Sequence, residues 1–334
     1  MGKIKLLELF GGIGACSKAL ERLGVDYEIV DYVEIDSFAV TSFNAMHGTN
    51  FEPQDITKWD KDVEVDLIMH GSPCQDFSIA GLNKGGDEGS GTRSSLMYET
   101  LRIVSKLKPK YVVWENVKNL LSTKHRANFD AYQKAMEDLG YKNFYKVLNA
   151  KDYGIPQNRE RVFTVSILDG GDFEFPESQP LGKRLADVLE EDVDKKYYIS
   201  ADRVKGILES NFVQERTRIQ TGGVCSTVLA RDWKDPKCVV VVDDIYKNRP
   251  PRFYTDTAPT LRAFHAGDLK TFGEGEQVRV RKLTPKECWR LMGFDDSDFE
   301  KAVATRNSNT QLYKQAGNSI VVNVLEAVLR KLLW

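Results

Sequence analysis

Val65-Asp66-Leu67-Ile68-Met69, followed one residue later by Gly71-Ser72-Pro73-Cys74-Gln75-Asp76-Phe77-Ser78, is the stretch on which the fold turns. The first five residues have the length and composition of a buried strand. Pro73 fixes its own φ and restricts Ser72, so the chain must leave the sheet abruptly. Cys74 is thereby presented at the carboxyl end of a strand, where open α/β sheets bind their ligands. Behind it runs a Gly-rich tract, Gly81 to Gly91, too rich in glycine to be core. A thiol on a strand tip beside such a flap suits covalent chemistry. The plainer reading of a lone cysteine is a small buried hydrophobe, and the rest of the chain has to decide between the two.

The same pattern of strand and abrupt exit recurs on either side. Ile4 to Phe10 reads as a buried strand, Gly11-Gly12-Ile13-Gly14-Ala15 as a turn, and Ser17 to Leu23 as a helix closed by Gly24. Strand, glycine turn and helix open a nucleotide-type site, because the backbone must approach the ligand closely. Tyr27 to Val33 makes the next strand and ends in Glu34-Ile35-Asp36. An acidic residue about 20 positions after the glycines is where a ribose hydroxyl pair is bound. The glycine spacing is not Gly-x-Gly-x-x-Gly, so a compact adenosine ligand fits better than NAD. Asp55-Ile56 then offers either an acceptor for an adenine amino group or a helix N-cap.

Tyr111-Val112-Val113-Trp114 is a further buried strand, ending in Glu115-Asn116-Val117. A carboxylate at an apolar strand tip is costly unless partnered, and such groups have raised pKa values. Glu115 beside Cys74 would make a pair of acid and nucleophile. Gln157, Arg159 and Arg161 alternate along one strand and share a face. Two arginines on one face suit an anion or a base carbonyl, with surface ion pairs as the alternative.

A chain of 334 residues with 41% hydrophobic and 29% charged content is expected to be a soluble enzyme of one large and one smaller domain. Its start leads straight into a strand, with no apolar run long enough for a membrane, which predicts a cytoplasmic protein. Five cysteines without Cys-x-x-Cys spacing and four scattered histidines predict free thiols and no metal. The net charge is −2, yet residues 201–290 hold 17 Lys/Arg against 12 Asp/Glu, where residues 1–200 hold 25 against 32. That local excess falls where the pattern turns irregular, from about Phe173 onward. Loops at 221–235 and 247–265 carry Arg231, Lys234, Arg249, Arg252, Thr260, Arg262 and His265, donors suited to guanine edges and phosphates. Thr284-Pro285 begins a helix, and an apolar helix from Val321 to Leu333 closes the chain.

The ordered set Phe10-Gly11-Gly12-Ile13-Gly14, Glu34, Asp55-Ile56, Gly71-Ser72-Pro73-Cys74-Gln75, Glu115-Asn116-Val117, Gln157-x-Arg159-x-Arg161, Arg281 to Phe294 and Gly317-Asn318-Ser319 resembles the DNA (cytosine-5)-methyltransferases. The resemblance covers all but about 175–280, the family's variable target-recognition region. It implies an α/β fold with a doubly wound, mostly parallel sheet, Rossmann-like, and a smaller irregular recognition domain. The catalytic domain would comprise 1–180 and 305–334, with recognition and hinge in 181–304. S-adenosyl-L-methionine would be held by Phe10, Gly12, Ile13, Gly14, Glu34, Ile35, Asp55, Ile56, Pro73, Leu96, Asn318 and Ser319. Ala15 and Gln54 stand where the family commonly has glycine.

By the same resemblance, a cytosine flipped from duplex DNA would take Cys74 at carbon 6 and a methyl group at carbon 5. Glu115 would act at ring N3 and Arg161 at the base carbonyl, with Arg159 supporting Glu115 or a phosphate. Gln75, Ser78 and Arg93 would contact DNA as the tract 78–93 closes. The protein would act as a monomer on DNA, with or without a cognate restriction endonuclease. The alternatives are a tRNA cytosine-5 methyltransferase and, from another class, a nicotinamide-dependent oxidoreductase, which leaves Cys74 and Glu115 unexplained.

Overall fold

Neighbouring residues of the N-terminal strands are apolar, and the sheet buries both sets. In β1 (Ile4–Leu9), Leu6 joins a core with Met69 and Val113, while Leu7 joins another with Ile68 and Val112. Side chains alternate along a strand, so these are opposite faces, and each must be covered. The computed structural model describes residues 2–72, 96–208, 219–220, 223–244, 252–253 and 276–334. In it, β1 pairs in parallel with β2 (Tyr27–Val33) and β3 (Leu67–His70), and β3 with β4 (Tyr111–Val117). After β5 (Tyr141–Asn149) and β6 (Gln157–Asn158), β7 (Glu160–Leu168) pairs antiparallel with both β4 and β5. The order is β2-β1-β3-β4-β7-β5.

Helix α1 (Ala15–Leu23) covers one face; α2 (Ser37–His47) stacks Phe43 on Tyr32 at the sheet's edge. Helices α3 (Met97–Leu107) and α4 (Arg126–Asp138) cover the other face. The last of these begins at Arg126, which pairs with Asp130 at 2.8 Å on the helix's solvated side. The strand expected to carry Gln157, Arg159 and Arg161 together is interrupted at Arg159, because β6 pairs elsewhere.

The smaller unit holds α5 (Ala201–Leu208) and the short strands β8 (Ile219–Gln220) and β9 (Cys225–Ser226). Its sheet is built on β10 (Cys238–Asp244), flanked by β11 (Arg252–Phe253), β12 (Glu276–Lys282) and β8. β9 leaves that sheet and pairs in parallel with β6. Beyond β12 come α6 (Pro285–Arg290), α7 (Asp296–Ala304), α8 (Asn309–Asn318) and α9 (Val322–Leu333). Thr284 and Glu287 close a capping box on α6, as Thr284-Pro285 predicts. Residues 283–304 pack on the large sheet's side: Trp289 is buried and donates to Leu312 O, and Lys18 and Arg22 pair with Asp298 and Asp295. The closing helix α9 packs on α1 and completes that layer.

Glu8 is a charged residue in this interior, accepting hydrogen bonds from the Ser17 amide and hydroxyl. Burial pushes its carboxyl up to about 7, against those bonds. The folded state thus keeps a proton that the unfolded chain releases near 4.5. The stabilisation tied to that proton is present below about pH 4.5 and lost as pH rises through about 7. Glu8→Gln should therefore gain on the wild type by up to about 1.4 kcal/mol per pH unit between about pH 5 and 7, and level off above about pH 8. Urea denaturation across that range reads the difference, and a pH-independent gap would contradict it.

Candidate active site

The parallel register places the strand ends in one row. Leu9 lies opposite Val33 and His70, and His70 opposite Trp114, so Phe10, Glu34, Gly71 and Glu115 follow at the same edge. The crevice beyond this edge is where doubly wound folds bind ligands.

At the β1 end, Phe10 (φ 54°), Gly12 (φ 55°) and Gly14 (φ 78°) take left-handed backbone, and the Gly11, Gly12 and Gly14 amides are held by Val33 O, Glu34 Oε2 and Gly11 O. Phe10 is the one without the freedom of glycine, and such strain collects where a ligand is held. Gly14 caps α1, and a Cβ there would meet His47 Nε2 at 2.5 Å and the Phe43 ring at 2.7 Å. Glu34 Oε2 accepts from the Gly12 amide at 3.1 Å and Oε1 from the Asp36 amide at 2.9 Å. Its carboxyl is pushed up, chiefly by burial. Beside it Ile35 is 70% exposed, a large apolar side chain without a cover, and nothing lies within 4 Å of where a Cβ on Gly12 would stand. A fixed carboxylate, an open backbone turn and an uncovered apolar side chain together fit a nucleoside.

Asp55 caps the short helical turn Ile56–Lys58, accepting from the Thr57 amide and hydroxyl, and those bonds hold its carboxyl below the usual range. Its side chain keeps 34% exposure, so the cap leaves part of the carboxylate for another donor. Ile56 is buried, and Leu96 packs half-buried on the core at the start of α3. Gln54, where the family commonly has glycine, donates to Asp31 and to Tyr32 O and so pins this loop to β2. Asn318 ends α8, exposed, and Ser319 is buried.

At the β4 end, Glu115 is buried and Arg161 Nε lies 3.2 Å from its Oε1. That ion pair is not aligned as a hydrogen bond, and Oε1 receives none from any described residue. Burial pushes the carboxyl up, against the charges of Arg161 and Arg159. A Cβ built on Gly71 would lie 3.9 Å from Glu115 Oε2 and 3.5 Å from Ile320 Cδ1, so the carboxyl borders the strand exit that leads to Cys74. Asn116 donates to Ser72 Oγ at 2.9 Å and ties the two strand ends together. Arg159 shares its face with Gln157, as the alternation predicts, but its donors go to Val228 O, Gly317 O and Ser319 O rather than to Glu115.

Pro73, Cys74, Gln75, Ser78, Arg93, Arg249, Thr260 and Arg262 lie outside the described residues, and of Arg252 only the backbone, in β11, is described. Arg231 is exposed in the turn that follows Ala230. Ile320, Asn116 and Gln157 were not among the expected site residues. The signal for two of them is a polar amide inside an otherwise apolar strand end. Among the described residues no group of three His, Cys, Asp or Glu could hold a metal, and no helix is long and apolar enough to cross a membrane.

The geometry is that of a Rossmann-like methyltransferase, with a nucleoside edge on one side of the sheet's switch and an acid on the other. Residues 4–334 match the family of C-5 cytosine-specific DNA methylases, and the chain belongs to it. It is similar to the type II methyltransferase M2.ScrFI of Lactococcus lactis subsp. cremoris (33% identical, 98% of this chain and 99% of that one). It is also similar to the orphan methyltransferase M.SPRI of Bacillus phage SPR (31%, 100% and 98%). Its fold matches the solved methyltransferase EhMeth of Entamoeba histolytica with a TM-score of 0.73 at 18% identity, over 100% of this chain and 98% of that one. The chain is a DNA (cytosine-5)-methyltransferase of an S-adenosylmethionine-dependent family.

Glu34 gives a direct test of the nucleoside edge. A carboxylate binding two hydroxyls contributes on the order of 1.5–3 kcal/mol. Glu34→Ala should weaken S-adenosylmethionine binding at least about tenfold by calorimetry. Unchanged affinity would remove Glu34 from the site.

Proposed function

We propose that this chain methylates carbon 5 of a cytosine flipped out of duplex DNA, with Cys74 as nucleophile and Glu115 as acid. The observation that carries the reading is Glu115: buried, pushed toward its protonated form, one oxygen without a hydrogen bond from any described residue, and bordering Gly71. Three residues of chain span at most about 11 Å, which tethers Cys74 to that carboxyl.

Phe10, Gly12, Ile13, Gly14, Glu34, Ile35, Asp55, Ile56, Pro73, Leu96, Asn318 and Ser319 would hold S-adenosyl-L-methionine, with Glu34 on the ribose hydroxyls and Ile35 against the adenine. When bound, that group supplies an electrophilic sulfonium methyl. Carbon 5 of cytosine is a poor nucleophile. A Cys74 thiolate forms a bond to carbon 6, and the displaced electron pair makes carbon 5 nucleophilic. Glu115 offsets the charge by hydrogen-bonding or protonating N3, and Arg161 orients both the carboxyl and the base carbonyl. After carbon 5 has gained its methyl, loss of its proton returns the electron pair and expels the thiolate. A base inside a duplex is out of reach of these groups, so it must leave the stack.

The DNA-reading unit with its hinge would comprise residues 181–304, of which 283–304 pack with the large sheet's helices. Gln75, Ser78, Arg93, Arg231, Arg249, Arg252, Thr260 and Arg262 would contact the duplex. The chain would act on DNA as a monomer. Relatives include both a type II and an orphan enzyme, so a cognate endonuclease is sought by digesting unmodified DNA with host extract. Bisulfite sequencing of a host expressing the protein reads the target context.

A duplex carrying 5-fluorocytosine at that target decides the mechanism. Fluorine cannot leave as a cation, so elimination stalls and a denaturation-resistant adduct should map to Cys74. Cys74→Ser should abolish adduct and methylation, because a hydroxyl is far less ionised than a thiol near neutral pH. Glu115→Gln should slow methylation by about 10²–10⁴-fold. An adduct on another cysteine, or undiminished methylation by Cys74→Ser, rules the mechanism out.

A further inference from the structure

Residues 225–230, the strap that leads into the exposed turn carrying Arg231, are held on the catalytic side by an unusual number of polar and steric contacts. β9 pairs with β6 through Gln157↔Cys225 and Asn158↔Ser226, and the Cys225 amide donates to Pro156 O at 2.8 Å. Thr227 Oγ1 donates to Asn158 O at 2.8 Å. Both backbone groups of Val228 are taken by side chains: its amide donates to Gln157 Oε1 at 2.9 Å, and its carbonyl accepts from Arg159 Nη1 at 2.9 Å. Gln157 and Arg159 are themselves buried, at 0% and 4% exposure. Buried amides and guanidinium groups are retained at such sites only where their bonds are made.

Arg159 does more than hold Val228. Its Nη2 donates to Ser319 O at 2.7 Å and to Gly317 O at 3.2 Å, so one guanidinium joins the strap to the Gly317-Asn318-Ser319 motif. There the backbones touch: a Cβ on Gly317 would stand 2.0 Å from Ala230 N and 2.1 Å from Leu229 C. Only glycine allows so close an approach. Gln157 Nε2 donates to Leu291 O at 2.7 Å, which fixes the clamp to the chain returning from the recognition unit.

We infer that Gln157 and Arg159 are positioning residues, and that the strap they hold against Gly317 couples DNA engagement to cofactor binding. The inference rests on the reading that Asn318 and Ser319 contact the cofactor. DNA bound at the recognition unit bears on the strap through the turn after Ala230, and the cofactor bears on Asn318-Ser319. A rigid contact between the two makes each ligand favour the arrangement that suits the other. Such coupling is reciprocal and spans about 5–150-fold in affinity.

The test measures S-adenosylhomocysteine affinity by calorimetry, with and without excess duplex carrying the bisulfite-mapped target. In the wild type the duplex should raise that affinity at least about fivefold. Arg159→Lys, which can satisfy fewer carbonyls, and Gly317→Ala, which drives a methyl into Ala230, should each bring the ratio to within about twofold of one. A merely structural role would lower the melting temperature and leave the ratio intact. A wild-type ratio of one, or variants that keep the wild-type ratio, overturns the inference. If both variants fail to fold, hydrogen exchange of the wild type decides: S-adenosylhomocysteine should slow exchange of the Val228 amide, and an unchanged rate overturns it. Asn318→Ala separates the premises, since unchanged S-adenosylhomocysteine affinity there strikes the contact at Asn318-Ser319 and the linkage with it, whereas a weakened Asn318→Ala beside an uncoupled wild type strikes the linkage alone.

Discussion

Parallel pairing of β1, β3 and β4 in one register, with β2 brought level by a one-residue shift between Leu6 and Leu7, is the constraint on which everything else depends. Parallel strands run the same way, so every crossover returns the chain to the same side and every strand ends at the same edge. Leu9, Val33, His70 and Trp114 stand level across the sheet, and the residues after them become neighbours without any contact in sequence. A slip of one residue would turn Leu6, Leu7 and Ile68 to the opposite faces, each of which buries a different set of helices. The register is thus enforced by the core, and the site is a by-product of that enforcement.

Much of this edge was legible in the sequence because each contributor has a local signature. A glycine-rich strand exit, an acidic residue closing the next strand, Gly-Ser-Pro after an apolar run, and Glu-Asn after another all announce a chain that leaves a sheet where side chains are needed. Glu34 meets the Gly12 amide as its spacing requires. Asp55 shows the limit of such reading: it is the helix cap that the local pattern allowed, and its remaining exposure leaves room for the other role as well. Gln54 looked like a lapse from a glycine pattern, yet its amide bridges Asp31 and Tyr32 O, a contact that only the folded neighbourhood reveals.

What the sequence withheld are the long-range polar joints. Gln157, Arg159 and Arg161 read as one face of a strand; the break at Arg159 sets Arg161 apart, and the partners of the other two lie 71 and 69 positions away at Val228. Nothing in local composition names a backbone carbonyl as a partner. The same holds for Glu287, which makes a buried two-pronged pair with the nearby Arg281 and caps α6, yet also accepts from the Glu190 amide 97 positions away. Removing one member of such a pair leaves an uncompensated buried charge, which costs far more than a surface ion pair contributes. These joints sit where the recognition unit meets the catalytic one, at β6–β9 and at the end of β12.

The positions of the two arginines then explain how one strand end serves two tasks. Arg161 follows β7 into the main sheet opposite Val117, which leaves its Nε beside Glu115 and its Nη1 on Glu160 O. Arg159 lies just before β7, where the chain has already turned toward β9, so its donors face the strap. Had the strand run unbroken from Gln157, the two guanidinium groups would share one environment, and the Val228 and Ser319 carbonyls would lose the donor they share. Burial pushes the Glu115 carboxyl up and outweighs both guanidinium charges that pull it down, Arg161 more than Arg159. The break at Arg159 therefore separates the two tasks: Arg161 stays beside the Glu115 carboxyl, while Arg159 joins the strap to the Gly317-Asn318-Ser319 turn.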